Sequence, residues 1–225
     1  MSGSEAIRVC SFGNDEAGGE ISPWCHSGAK RAFDVCVGLP LLIAATPLLL
    51  LIGGLIKLTS KGPVLFRQTR VGRGGKEFQL LKFRTMIHHD RPSGPGVTRA
   101  GDARITSVGR VLRESKLDEL PQLFNLLCGE MSFVGPRPDL AEFLDDMGPT
   151  ERRVLSLKPG LTGWATLHFR SEEQLLAEIP ETRMRQYYVN ELLPRKIALD
   201  LEYAAKASFL KDATILFQTV LAIFR

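Results

Sequence analysis

The 225-residue chain has little cysteine, and what it has is scattered. Cys10, Cys25, Cys36 and Cys128 include no CxxC pair, which leaves no cysteine motif for a metal or a dithiol. They read as reduced structural thiols in a cytosol-facing protein. There is no zinc finger, no RNA-binding aromatic pattern and no basic helix repeat, so nothing points to nucleic acid as a partner. Charge of one sign is also scarce. The formal net charge is only +4, which suits a membrane surface or anionic small substrates equally well. Residues 1–27 are rich in Gly and Ser and hold no apolar run of the signal-peptide kind. They read as a poorly ordered leader ahead of one domain over 28–225.

One long apolar run is present. The 22 residues from Val35 to Ile56 carry no charge. As a straight helix of about 1.5 Å rise per residue they would reach roughly 33 Å, enough for a bilayer core of about 30 Å. Two features argue against a simple span. Pro47 sits near the middle and removes a helical hydrogen bond at the Ile43 carbonyl, so a kink or turn is expected, with the Thr46 hydroxyl available to the freed carbonyls. Both flanks are basic as well. Lys30 and Arg31 precede the run, while Lys57, Lys61, Arg67, Arg70, Arg73 and Lys76 follow it. Because cytoplasmic flanks accumulate Lys and Arg, both ends are expected on the cytoplasmic side. The favoured reading is a broken, re-entrant helix over about 31–58, with a spanning helix as the second reading. A buried helix pair in a soluble core is a third, disfavoured by the length of the charge-free run.

The cytosolic part is expected over about 60–225. Val64–Gln68 and Phe78–Phe83 suit strands, and Gly72-Arg73-Gly74-Gly75 supplies the turn of a hairpin. Residues 88–103 read as a mobile loop whose His88-His89 pair is a weak metal candidate. Val108–Cys128 reads as two helical pieces, and Glu172–Arg225 as mostly helical, punctuated by Pro180 and Pro194. Asp212 is a candidate cap for a last helix over Ala213–Phe224, too short to span a bilayer, which either completes a core or lies in the interface. The fold class is therefore α+β, mainly helical, with a small hairpin and interfacial amphipathic helices.

The candidate chemistry lies at Asp118 and Glu119 in Leu117-Asp118-Glu119-Leu120-Pro121. Adjacent carboxylates in an apolar context repel, so a divalent metal or a phosphate substrate held by arginines would account for them. Pro121 is tolerated in a first helical turn, which places Asp118 near a helix start as a candidate N-cap. Plain capping is the alternative reading. Arg110 and Arg113 come just before the pair. Arg137 follows in Gly135-Pro136-Arg137-Pro138, where two prolines fix the backbone around one guanidinium. Lys158-Pro159-Gly160-Leu161-Thr162-Gly163-Trp164 is a second tight loop, with Arg170 beyond it. Rigid loops carrying Arg suit bidentate phosphate recognition, and ordinary turns with solvated arginines are the competing reading.

Five segments in order carry a resemblance. They are Lys30-Arg31-Ala32-Phe33-Asp34, Lys82-Phe83-Arg84-Thr85-Met86, Leu117–Leu123, Met131–Pro138 and Lys158–Gly163. From Lys30 to the C-terminus the chain resembles the bacterial sugar transferases, the monotopic polyprenol-phosphate phosphoglycosyl transferases, as a catalytic domain without the membrane module of longer members. The resemblance implies a re-entrant helix broken at Thr46-Pro47 and a place on the cytoplasmic face of the inner membrane. It implies transfer of a sugar 1-phosphate from a UDP-sugar to polyprenol phosphate, with undecaprenyl phosphate as the expected acceptor and UMP released. Asp118 matches the family nucleophile, which implies a covalent phosphoryl-aspartate and ping-pong kinetics. Glu119 matches the second carboxylate, as Mg²⁺ ligand with Asp118 or as base. Arg113, Arg137 and Arg170 match phosphate-binding arginines, and Mg²⁺ is the implied cofactor. Many members continue the second loop as Gln-Val-Asn-Gly-Arg-Asn. Here Thr166-Leu167-His168-Phe169-Arg170-Ser171 keeps only the arginine, so the family's sugar preference does not carry over. His168 reads either as a sugar contact or as packing on Trp164 or Phe169. Two other functions remain open: a membrane-associated phosphohydrolase and a non-catalytic membrane scaffold.

Overall fold

The computed structural model describes residues 19–87 and 102–223. Residues 1–18 and the His88-His89 pair lie outside them. Residues 19–27, expected to belong to a loose leader, are packed. Pro23–His26 form a 3₁₀ turn, and Ser22 donates from its backbone N–H to Ala204 O (2.9 Å) and from its hydroxyl to Ala207 O (2.8 Å).

The Ser27 hydroxyl then accepts the Lys30 N–H at 3.0 Å and caps helix α1, Gly28–Thr59. Of the kink or turn expected at Thr46-Pro47, a turn is ruled out, because α1 continues as one helix through both Pro40 and Pro47. The Thr46 hydroxyl donates to Leu42 O at 2.8 Å, which supplies backbone hydrogen bonding next to the donor that Pro47 lacks.

One face of α1 is against the protein along its whole length. Lys30, Asp34, Gly38, Ile52 and Ile56 are buried, and Leu42 and Leu49 pack partly into the cores beside them. This is a helical stripe. The opposite face is equally apolar but exposed, with Ile43 at 65%, Leu50 at 72% and Leu58 at 85%. Both ends are tied down. At the start, Arg31 donates to Leu126 O and Leu127 O (2.6 Å each), and Asp34 Oδ1 accepts from Ser132 Oγ and the Phe133 N–H (3.1 Å each). At the end, Arg84 Nη2 donates to Ser60 O (2.9 Å) and Ser60 Oγ (2.7 Å).

The expected hairpin is present. Strands β1 (Leu65–Val71) and β2 (Glu77–Phe83) pair antiparallel from Leu65↔Phe83 to Val71↔Glu77. Helices α2 (Ser107–Glu114) and α3 (Gln122–Cys128) are the two pieces expected between 108 and 128. The two Gly-Pro loops contribute something the sequence did not suggest. Parts of them, β3 (Ser132–Val134) and β4 (Gly160–Thr162), pair as a short parallel ladder. The C-terminal third is helical: α4 (Trp164–His168), α5 (Glu172–Ala177), α6 (Glu181–Tyr187), α7 (Leu193–Lys206) and α8 (Phe209–Ile223).

Three apolar clusters join these elements. Leu192, Leu193, Ile197 and Leu201 pack with Phe143, Val154 and Leu157. Phe78, Leu126, Phe133, Tyr203 and Ile215 connect the hairpin, α3, β3, α7 and α8. Ile52 and Ile56 of α1 pack on Phe83 and Leu112. Helix α8 both completes a core, through the fully buried Ile215, and presents Leu210 and Phe217 outward.

Asp212 does not cap α8. The Ser208 hydroxyl takes the Lys211 N–H (3.2 Å), while Asp212 is buried and accepts from Lys30 Nζ, Tyr203 OH and Trp24 Nε1. One carboxylate thus joins the start of α1, the 3₁₀ turn, α7 and α8. Asp212→Ala leaves the Lys30 ammonium buried without its counter-charge, a loss of about 3–5 kcal/mol. Thermal unfolding of the detergent-solubilised chain should register it as a clear drop in midpoint. An unchanged midpoint would remove this pair from the framework.

Candidate active site

The local chain around Asp118 is unusual. Lys116 adopts a left-handed conformation (φ 57°, ψ 14°), and among the described residues it is the one non-glycine with positive φ. Such a residue stores strain unless its surroundings enforce it. It turns the chain from α2 into a 3₁₀ turn, Leu117–Glu119, closed by the Leu120 N–H on Leu117 O (3.3 Å). Helix α3 starts only at Gln122, after Pro121, and no side chain caps it. Asp118 is therefore not an N-cap. Its side chain is buried, and its Oδ1 has no hydrogen-bond partner.

The two carboxylates have opposite environments. Burial first, and then the neighbouring Glu119 charge, push the Asp118 carboxyl up from its ordinary value, and Lys82, Arg113 and Lys116 offset this only in part. Glu119 is half-buried, and its Oε1 accepts from Lys82 Nζ at 2.8 Å and from Arg137 Nη2 at 2.7 Å. Against the burial penalty, the Arg137 and Lys82 charges hold its carboxyl well below the usual range. Glu119 is thus a fixed anion in a cationic clamp, and Asp118 is a carboxylate without a partner.

Backbone packing sets these positions. A Cβ on Gly109 of α2 would stand 2.0 Å from Thr85 O, so only glycine lets α2 lie against the chain just after β2 and bring Arg113 near Asp118. A Cβ on Gly135 would meet Lys158 O at 2.3 Å, so the Gly-Pro-Arg-Pro loop sits directly on the β4 loop. Arg70 Nη1 donates to Pro138 O at 3.1 Å and holds the far side of the Arg137 loop.

The structure brings Asp118, Glu119, Arg113 and Arg137 together. It does not bring Arg170, which is exposed after α4 and is a hydrogen-bond or ion-pair partner of neither carboxylate among the described contacts. His168 packs edge-on against Trp164 at 4.5 Å, with Nδ1 2.9 Å from Trp164 O. Thr46 and Pro47 lie within α1 and take no part in the carboxylate site. Sequence reasoning missed Lys82 as a site residue, although its segment was among those carrying the resemblance. It also missed a solvent-open cleft beside Arg137. Asp139, Lys196 and Asp200 supply polar groups to it, and Met147, Leu157 and Ile197 supply apolar wall. Burial pushes the Asp200 carboxyl up to about 7. Lys196 is held by Glu172 Oε2 (3.1 Å) and Tyr188 OH (3.2 Å).

No group of three or more His, Cys, Asp or Glu is placed to hold a metal among the described residues. The unpartnered Asp118 Oδ1 still suits a cation such as Mg²⁺, which takes one or two protein carboxylates and completes its shell with substrate phosphate and water. Because the folded Asp118 pKa is raised, ionising it costs stability as pH rises through that value. Without divalent metal at neutral pH, Asp118→Asn should therefore raise the unfolding midpoint by a few degrees, at about 2–4 °C per kcal/mol. The gain should vanish below about pH 4, where the wild-type carboxyl is also neutral. Melting curves across pH test this, and a variant less stable at neutral pH contradicts it.

The bacterial sugar transferase family model matches residues 25–225. The UDP-glucose:undecaprenyl-phosphate glucose-1-phosphate transferase of Caulobacter vibrioides is 43% identical over 196 residues, covering 85% of this chain and 68% of that protein. The UDP-N-acetylgalactosamine-undecaprenyl-phosphate N-acetylgalactosaminephosphotransferase of Aeromonas hydrophila is 32% identical over 220 residues, covering 96% of this chain and 48% of that protein. The exopolysaccharide production protein ExoY of Sinorhizobium fredii is 36% identical over 210 residues, covering 87% of this chain and 85% of that protein. The carboxylate pair, its basic clamp and a match over nearly the whole described chain agree: the protein belongs to the bacterial sugar transferase family.

Proposed function

We propose that this chain transfers a sugar 1-phosphate from a UDP-sugar to a polyprenol phosphate, with undecaprenyl phosphate as acceptor. The observation that carries the reading is the asymmetry of the pair. Asp118 is buried with an unpartnered oxygen, while Glu119 is neutralised by Lys82 and Arg137. Attack of the Asp118 carboxylate on the phosphorus bearing the sugar forms an acyl phosphate and breaks the bond to the UMP oxygen, so UMP leaves. An oxygen of the polyprenol phosphate then attacks the same phosphorus and releases Asp118, giving the polyprenyl-diphospho-sugar. Arg113 and Arg137 face the phosphate charge, and the Glu119 clamp orients Arg137 and Lys82. Arg170 serves phosphate from outside the pair. Mg²⁺, held by Asp118 and diphosphate oxygens, would offset repulsion between the carboxylate and the diphosphate.

The proposed place is the cytoplasmic face of the bacterial inner membrane, in a polysaccharide or glycoconjugate pathway. The exposed apolar face of α1 supports membrane seating, and the packing of both α1 ends on one body supports entry and return on one side. On this reading α1 sits in the cytoplasmic leaflet, bent by a kink at Thr46-Pro47 so that it is re-entrant rather than spanning, and α8 lies at the interface.

Asp118→Asn should abolish labelling of the protein by a UDP-sugar with radiolabel in the sugar. It should also cut turnover on the order of 10⁴-fold or more, as loss of a nucleophile does. Unchanged turnover sinks the nucleophile assignment. Sustained UMP release without polyprenol phosphate points to a phosphohydrolase instead. For the seating, single cysteines at Ser27 and Ser60 in a cysteine-free background should both react with an impermeant maleimide only from the cytoplasmic side. Reaction of one end from the periplasmic side means that α1 spans.

A further inference from the structure

Basic residues beside a membrane helix ordinarily face lipid headgroups. Lys30 and Arg31 do not. Lys30 is buried against Asp212, and both terminal Arg31 nitrogens donate to the carbonyls of Leu126 and Leu127. Positive charge at this end of α1 comes instead from distant parts of the chain: Arg73 at the hairpin tip and Lys158 before β4. A Cβ on Gly129, just after α3, would lie 3.5 Å from Arg31 Nη2 and 3.9 Å from Lys158 Nζ, so these two cations converge on one point. Burial, then the Arg31 and Arg73 charges, push the Lys158 ammonium down, with Asp34 acting the other way. The turn that carries Arg73 packs against the 3₁₀ segment Glu151–Ser156 just before Lys158, and burial and the Arg73 charge lower His26.

No acid forms an ion pair with the cluster among the described residues. Asp34 is buried and turned to Ser132 and Phe133, and Glu130 accepts from Asn125 Nδ2 at 2.7 Å. Among the described residues neither Arg73 nor Lys158 forms an ion pair. Meanwhile Val37, Leu39 and Leu41 are exposed within about two turns beyond Asp34.

We propose that Arg73 and Lys158, backed by Arg31, bind the phosphate headgroup of an anionic phospholipid where α1 enters the membrane. A free phosphate offers the same chemistry. The exposed apolar residues next to the cluster favour a phosphate that carries acyl chains. The inference rests on the membrane seating of α1 and not on the transfer chemistry.

The test uses the full chain in phosphatidylcholine nanodiscs containing a small fraction of dansyl-labelled phosphatidylglycerol or, separately, dansyl-labelled phosphatidylcholine. Energy transfer from protein tryptophan reports local enrichment of the label. Enrichment of the anionic label is expected, falling roughly fivefold for each charge removed in Arg73→Gln and in the double variant with Lys158→Gln, the scale of one basic residue at an anionic surface. Arg73 is exposed, so its single variant tests the idea without disturbing the core. The control pair Lys61→Gln and Arg67→Gln should change little. Equal loss in the control pair, or none in either test variant, overturns the proposal. Displacement of the label by millimolar inorganic phosphate overturns the lipid assignment in favour of a soluble anion. A chain that does not enter nanodiscs overturns the seating and this inference with it.

Discussion

The burial of Lys30 against Asp212 determines how the rest of the molecule is arranged. A buried ammonium without a counter-charge is strongly unfavourable, so the first turn of α1 cannot leave the body that carries Asp212. Tyr203 and Trp24 complete the same carboxylate's hydrogen bonds, which ties α7 and the turn before α1 to the same point. From there α1 runs along the body, and Arg84 closes its far end on Ser60. The hairpin that holds Lys82 is packed on this second end through Phe83, Ile52 and Ile56. The position of the carboxylate pair relative to the exposed apolar face of α1 is thereby set by packing and not by a flexible tether.

The site itself depends on a division of charge. Two adjacent carboxylates cannot both be ionised cheaply in a buried place. Here one is neutralised by two cations from separate segments, β2 and the Gly-Pro-Arg-Pro loop, and the other is left without a partner. The strained Lys116 before them and the close approaches at Gly109 and Gly135 are backbone conditions for that division. They cost conformational freedom, which the packing around Leu112 and Val134 offsets.

Much of this was legible in the sequence, but unevenly. The hairpin could be read because its strands are short apolar runs around Gly72–Gly75, and the helical pieces because proline and glycine punctuate them. The path of α1 could not. Periodicity reveals a buried face only when the other face is polar, and here both faces are apolar, one against protein and one exposed. Of the kink or turn that Pro47 suggests, only the turn is excluded, because the helix continues through it. Asp118 and Asp212 both looked like caps. In the fold Asp118 precedes the helix by a full 3₁₀ turn, and Asp212 meets a lysine 182 residues away. Lys82 was missed as a partner of Glu119 for the same reason: 37 residues separate them, and only the β2 register brings them together. Arg170 lies near in sequence to a tight loop, and that nearness did not make it a partner of either carboxylate.

The span between Lys30 and Asp212 also bears on how the chain is made. Synthesis runs from the N-terminus, so α1 leaves the ribosome long before α8 exists. During that interval Lys30 has no counter-charge and remains hydrated, and the stripe from Asp34 to Ile56 has no protein to cover it. Until α3, β2 and α2 exist, neither apolar face of the helix is covered by protein. Helix α8 therefore locks α1, and the core around the first helix closes only once the chain has been made through Asp212.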